Sequence, residues 1–231
     1  MQKLVLIPGL LCSRRLWAAQ IEALSAYADI HVPEIGRQTT ISEMASDILD
    51  SMTGRFSLAG FSLGSQVALQ IVELARDRID RLALLSATRG GLLPAVQTAI
   101  RDAILTIERG DFATYLESAY PSYVASAHAQ NHAMKQCFIN MAYEVGPRSG
   151  LLQMKALLGL TRPFRHLSAI SCPTIVIGGR EDCRTTPAAH EALASEIPVA
   201  SMLLIEEAAH FTPLEQPDHL TRALLHWFKQ D

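Results

Sequence analysis

Short apolar runs alternate with longer segments of helical period along most of the chain. Residues 4–7, 30–32, 56–60, 82–85, 174–177 and 202–205 have the length and apolar continuity of buried strands. Residues 17–24 read as a helix after the first of them. Ile41, Met44, Ala45, Ile48 and Met52 recur at helical spacing, as do Val67, Ile71 and Leu74 within a helix expected over 63–75. Leu220, Ala223, Leu224, Trp227 and Phe228 form the stripe of a last helix. Two helix starts are marked chemically. Thr40 and Glu43 have the spacing of a capping box, and Thr186-Pro187 supplies an N-cap followed by proline at the first helical position. Strand and helix in alternation predict an α/β fold: a three-layer, mostly parallel sheet of about six strands covered by helices on both faces.

One region departs from the rhythm. Between residues 88 and 168 no strand is evident. Ile100, Ile104 and Ile107 suggest one helix, Met134, Phe138 and Met141 a second, and Leu151, Met154, Leu157 and Leu158 a third. An all-helical insertion before the last two strands reads as a lid over the C-terminal edge of the sheet, where open α/β sheets bind ligands. The expected division is therefore a core of residues 1–87 and 169–231 with a helical lid of residues 88–168.

Composition narrows the classes without choosing among them. At 231 residues, 49% hydrophobic and 19% charged, the chain suits one well-buried core. A net charge of −3 argues against a general nucleic-acid partner, and no run approaches the ~18 apolar residues of a membrane span. Lys3 and the apolar run after it resemble a short signal peptide, but Arg14 and Arg15 follow at once and a small-residue cleavage site is missing, so a buried strand is the better reading. Cys12, Cys137, Cys172 and Cys183 form no C-x-x-C pair and no zinc spacing. They read as free thiols of a reducing, cytoplasmic compartment, with Cys12 and Cys183 beside candidate site segments. His128 and His132, four apart, could share a metal on one helix face, but no third ligand is evident and a solvated face is the simpler account. No metal or organic cofactor is implied.

The strongest chemical signal is Gly60-Phe61-Ser62-Leu63-Gly64, set between a strand and a helix as a nucleophile elbow requires. So sharp a turn strains the serine and crowds the positions two residues to either side, which glycine tolerates. A serine hydroxyl needs a base. His210 is the candidate, because it follows the strand at 202–205 after a short loop and so falls on the same sheet edge. The base needs a carboxylate to orient it. Asp182 directly follows the strand at 174–177; Glu181 is its local rival, and Glu206 and Glu207 are nearer His210 in sequence. The order Ser, Asp, His favours Asp182. The oxyanion donors expected are the backbone N–H groups of Leu63 and of Leu10, the latter in the Pro8-Gly9-Leu10-Leu11 loop. A plain turn would explain Pro8-Gly9 equally well. Leu11 and Phe211 are the expected substrate contacts.

These segments, 4–11, 60–64, 178–182 and 210–217, resemble the motif set of the α/β-hydrolase superfamily, and the chain is most similar to its small serine esterases of the pimeloyl-carrier-protein methyl ester esterase kind. His210-Phe211 with Glu215 and Pro217 matches the family's histidine segment, and Asp182 with Thr186-Pro187 its acid segment. Pro8-Gly9 departs from the His-Gly many relatives carry, and the usual N-terminal hairpin is absent, which implies six strands. The resemblance implies ester, thioester, lactone or C–C bond chemistry. A carboxylesterase acting on small or medium apolar esters is the leading expectation. A lactonase, thioesterase or C–C hydrolase on the same triad is the alternative, with a slow-turnover ligand receptor behind it. Residues 88–168 hold eight Lys and Arg against five Asp and Glu, so an acidic carrier protein is an expected partner at the basic lid, although solvated surface charge also accounts for the excess.

Overall fold

The computed structural model describes residues 1–229. Its six strands are β1 (Gln2–Ile7), β2 (Ala28–His31), β3 (Phe56–Phe61), β4 (Ile79–Leu85), β5 (Thr174–Gly179) and β6 (Ala200–Ile205). They form one sheet in the order β2-β1-β3-β4-β5-β6, and every pair is parallel. Parallel neighbours need crossovers, so helices cover both faces. Five of the strands extend one to three residues beyond the apolar runs, because flanking polar residues such as Lys3 and Arg81 also pair; β2 instead takes in Ala28 and Asp29 and ends before Val32. β3 is buried throughout, and its neighbours β1 and β4 carry the rest of the sheet's fully buried centre at residues 4–7 and 82–85.

Between the strands lie α1 (Ala18–Leu24), α2 (Ile41–Ser51) and α3 (Leu63–Ala75). The Thr40–Glu43 capping box forms: Glu43 N–H donates to Thr40 Oγ1 at 3.1 Å, and Glu43 Oε2 accepts from the Thr40 N–H at 3.2 Å. At the other end of α2 the Arg78 guanidinium donates to the carbonyls of Leu49, Met52 and Gly54, satisfying groups the helix leaves open. In α3 the buried face holds Val67 and Ile71, as the spacing predicts, but Leu74, in the last turn of the helix, is 51% exposed.

Four α-helices separate β4 from β5: α4 (Pro94–Glu108), α5 (Phe112–Ala119), α6 (His132–Val145) and α7 (Pro147–Gly159). No strand occurs among the described residues there. The three expected helices are present; α5 is an addition, too short for its period to stand out in the sequence. His128 and His132 do not share a helix. His128 ends a 3-10 turn, Asn131 caps α6, and His132 opens it, so the proposed common face does not exist. Among the described residues no group of three metal-ligating side chains gathers anywhere. Among the described residues no helix is long and apolar enough to cross a membrane.

The chain closes with α8 (Pro187–Ser195), α9 (Thr212–Glu215) and α10 (Pro217–Lys229). Thr186 caps α8 as its sequence predicts. The α10 stripe buries Leu220, Leu224, Trp227 and Phe228, and Trp227 Nε1 donates to the Pro173 carbonyl at 3.3 Å.

Candidate active site

Three loops at the C-terminal edge of the sheet bring Ser62, His210 and Asp182 together. Ser62 sits where β3 gives way to α3 with φ 52° and ψ −110°, a conformation that costs a non-glycine residue free energy. Its N–H is held by the Leu85 carbonyl at 2.8 Å. The flanking glycines have a steric cause. A Cβ on Gly60 would stand 2.3 Å from the Gly64 carbonyl oxygen, and one on Gly64 would stand 2.3 Å from that of Ile7. The elbow therefore packs backbone on backbone.

His210 Nδ1 lies 2.8 Å from Asp182 Oδ2, and Nε2 lies 2.9 Å from Ser62 Oγ. A carboxylate only accepts, so Nδ1–H donates to it, and in the neutral ring Nε2 is left to accept the Ser62 hydroxyl proton. Asp182 and His210 are both buried. Burial pushes the Asp182 carboxyl up, but His210 and the N–H groups of Thr185 and Arg184 outweigh it, and the carboxyl ends below its ordinary value. Those two N–H groups donate to Oδ1 at 2.9 and 2.8 Å. The rival acids lie elsewhere. Glu181 is exposed and accepts weakly from Ser126 N–H, Glu206 pairs with Arg180, and Glu207 is exposed.

The Leu63 N–H, in the first turn of α3, and the Leu10 N–H have no acceptor among the described residues. Leu10, Ser62, Leu63, His210 and Phe211 line one cavity of about 680 Å³. Much of its remaining wall is apolar and comes from the helical insert, including Val96, Ile100, Met154 and Leu157. Leu11 is not part of that wall. It adopts φ 55°, its N–H donates to Gln153 Oε1 at 2.9 Å, and its side chain fills the space beside Gly150, so it packs against α7 instead of facing the cavity. Cys12 is buried too, and burial pushes its thiol up, so it is not accessible as its position in sequence suggested. Cys183 is exposed.

A model of the alpha/beta hydrolase family matches residues 4–224. The chain belongs to that family. A pimeloyl-[acyl-carrier protein] methyl ester esterase from Nitrosomonas europaea is 25% identical to the hydrolase over 229 residues, covering 93% of this chain and 91% of the relative. A thermophilic esterase from Thermogutta terrifontis, solved with malate bound, superposes with a TM-score of 0.88 at 25% identity, covering 99% of this chain and 90% of that one. An enol-lactonase from Burkholderia xenovorans shares the fold with a TM-score of 0.87 at 19% identity, covering 100% of this chain and 92% of that one.

Several further side chains support the site, and most of them carry no sequence signal of their own. In the hydrolase, Ser65 Oγ reaches the Gly60 and Leu85 carbonyls at 2.6 and 2.8 Å and accepts from Leu85 N–H at 3.1 Å, joining the ends of β3 and β4. Ser86, with φ 48°, donates its hydroxyl to the His210 carbonyl at 2.8 Å. Tyr123 in the helical insert accepts from both His210 and Phe211 N–H, at 3.0 and 3.2 Å, and its ring packs 5.7 Å from the imidazole. Glu215, buried, accepts from Ala209 N–H at 3.0 Å and from Ala125 N–H at 2.6 Å, so its carboxylate joins the histidine loop to the insert. His190 is fully buried on α8. Its Nδ1–H donates to the Thr186 carbonyl at 3.0 Å, and its ring fills the space that a side chain on Gly178 would take. Burial pulls its pKa down and keeps it neutral near the acid loop.

Proposed function

We propose that this hydrolase cleaves carboxylic esters of small or medium apolar acyl or alkyl groups through an acyl-enzyme on Ser62. The observation that carries the reading is the series Ser62 Oγ, His210 Nε2, His210 Nδ1, Asp182 Oδ2, with both links at hydrogen-bond distance. In this mechanism Ser62 Oγ attacks the ester carbonyl while His210 Nε2 takes the hydroxyl proton. The Leu10 and Leu63 N–H groups receive the oxyanion. His210 then gives the proton to the leaving alkoxide as the C–O bond breaks. Water repeats the sequence on the acyl-enzyme and releases the acid. Asp182 holds the ring and stabilises the imidazolium without taking the proton.

Residues 88–168 act as the lid in this reading, and their apolar cavity wall suits a hydrocarbon chain. Phe211 contributes to that wall, and the four free thiols fit a cytoplasmic location. The Nitrosomonas relative is named for an ester carried on an acyl-carrier protein. The excess of basic residues in 88–168 favours the same kind of acidic carrier as a second source of substrate. Lactones and thioesters present the same carbonyl chemistry, and a panel containing them ranks the classes. Replacing Ser62 by Ala is expected to lower kcat by about 10⁶ on the best ester. Normal turnover by the purified variant would refute the assignment.

A further inference from the structure

Arg184 is a cation in the wall of the Ser62 cavity. It sits two residues after Asp182 and lines the same cavity as Ser62 and His210. Its guanidinium carbon lies 4.1 Å from the centroid of the Tyr123 ring, and Nη1 donates to Ser122 Oγ at 3.3 Å. Among the described residues it enters no salt bridge, whereas Arg89 in the same wall is bound to Glu196. The stack fixes the plane of the guanidinium, which limits the rotamer entropy that binding would cost and leaves further N–H donors unused. Tyr123 is itself tied to His210 by its carbonyl, so Arg184 is held in register with the reacting groups. Tyr115 lines the cavity beside Tyr123 and Arg184, and burial pushes its phenol above the ordinary range, so it stays a neutral O–H donor. The acidic residue of the lining, Asp102, is exposed on α4 and so is screened by water.

We propose that Arg184, stacked on Tyr123, is a carboxylate-binding subsite, and that the preferred substrates are esters whose chain carries a carboxylate away from the scissile bond. This rests on the ester-hydrolase reading above. A planar guanidinium matches a carboxylate in a two-point contact, and the apolar residues of the cavity that Arg184 shares with Ser62 suit the methylenes that separate the two ends of such a molecule. Without this residue a carboxylate would be disfavoured in the cavity, because burying an unpaired charge is costly.

The test uses the full chain and two series of methyl esters made from straight-chain dicarboxylic acids of graded length. One series consists of monomethyl esters, which keep a free carboxylate, and the other of the neutral dimethyl esters. The wild type is expected to prefer the monoester at its best length by about tenfold in kcat/KM, the scale of one charge-assisted contact. The difference should reside mainly in KM and shrink with added salt. Arg184→Met should bring the ratio to one or below, and Arg184→Lys should keep part of it. The main-chain bond from residue 184 to Asp182 survives both substitutions. A wild type that hydrolyses dimethyl esters with no preference for monoesters overturns the subsite while leaving the hydrolase reading standing, as does an unchanged ratio in Arg184→Met. Failure to hydrolyse either series, with Ser62 unreactive to a fluorophosphonate, removes both. The wild-type ratio decides the matter even if the methionine variant does not fold.

Discussion

Replacing Glu215 by Gln isolates the link between the histidine loop and the helical insert. The carboxylate is 5% exposed and serves two backbone donors, Ala125 N–H at 2.6 Å and Ala209 N–H at 3.0 Å. A glutamine keeps one acceptor oxygen and turns an N–H₂ toward the other donor. Leaving that N–H unsatisfied costs about 1–3 kcal/mol, and loss of charge from the remaining bond costs about another 1 kcal/mol. The expected deficit is about 2–4 kcal/mol. At roughly 2–4 °C per kcal/mol for a chain of this size, Tm falls by about 5–15 °C. Burial raises the Glu215 carboxyl above its ordinary value, against the pull of the N–H donors. Between the ordinary value and the raised one, the folded state therefore holds a proton there that the unfolded chain has released. Wild-type stability gains as pH falls through the raised folded value toward the ordinary glutamate range, and the glutamine variant cannot share that gain. The deficit should widen on acidification over that window. Calorimetry of both proteins between neutral and mildly acidic pH reads both effects. A Tm loss under about 2 °C would show that the carboxylate does not hold the insert to the core, and a deficit that narrows toward acid would show that the N–H donors outweigh burial at this carboxyl.

Three further perturbations probe other parts of the molecule. Asp182→Asn should lower ester kcat by about 10⁴ through the wrong imidazole tautomer. Because the Asp182 carboxyl is held low, its stabilising contribution is present above its ordinary value and is lost as pH falls through the folded value, so the variant's acid unfolding curve, followed by circular dichroism, should be the shallower one. Gln153→Leu leaves the Leu11 N–H and the Ile35 carbonyl without partners. It should cost about 2–4 kcal/mol in a urea titration and lower kcat more than it raises KM, since the loop carrying Leu10 loses its support; equal kcat in the two proteins would count against that support. Gly64→Ala places a methyl 2.3 Å from the Ile7 carbonyl oxygen and should destabilise the fold by about 1–3 kcal/mol or more, checked by the same titration.

The strands and the sheet edge were legible because a doubly covered parallel sheet requires continuous apolar runs, and residues 4–7 and 82–85 have no competing pattern. The elbow was legible because its glycines answer a steric demand that few other turns share. The insert was readable as helical, but α5 at eight residues and the 3-10 turns around Tyr123 were not. Tyr123 and Ser86 act through a backbone carbonyl and a single hydroxyl, contacts that leave no spacing in the sequence. Leu11 was misplaced for a related reason. Its positive φ turns the side chain toward α7, 139 residues away at Gly150, and nothing local announces that turn. The family resemblance brought attention to Glu215 without its partner at Ala125.

The double hydrogen bond from the Tyr123 carbonyl to His210 and Phe211 constrains how substrates can enter. A covering segment is often pictured as a flap swinging clear of a rigid catalytic floor. Here residues 123–125 cannot swing away without pulling on the backbone of the imidazole itself, so opening at that end and loss of proton-transfer alignment are one event. Gly90 and Gly91, both at positive φ, line the same cavity outside that link and lead into the exposed Leu93 at the head of α4.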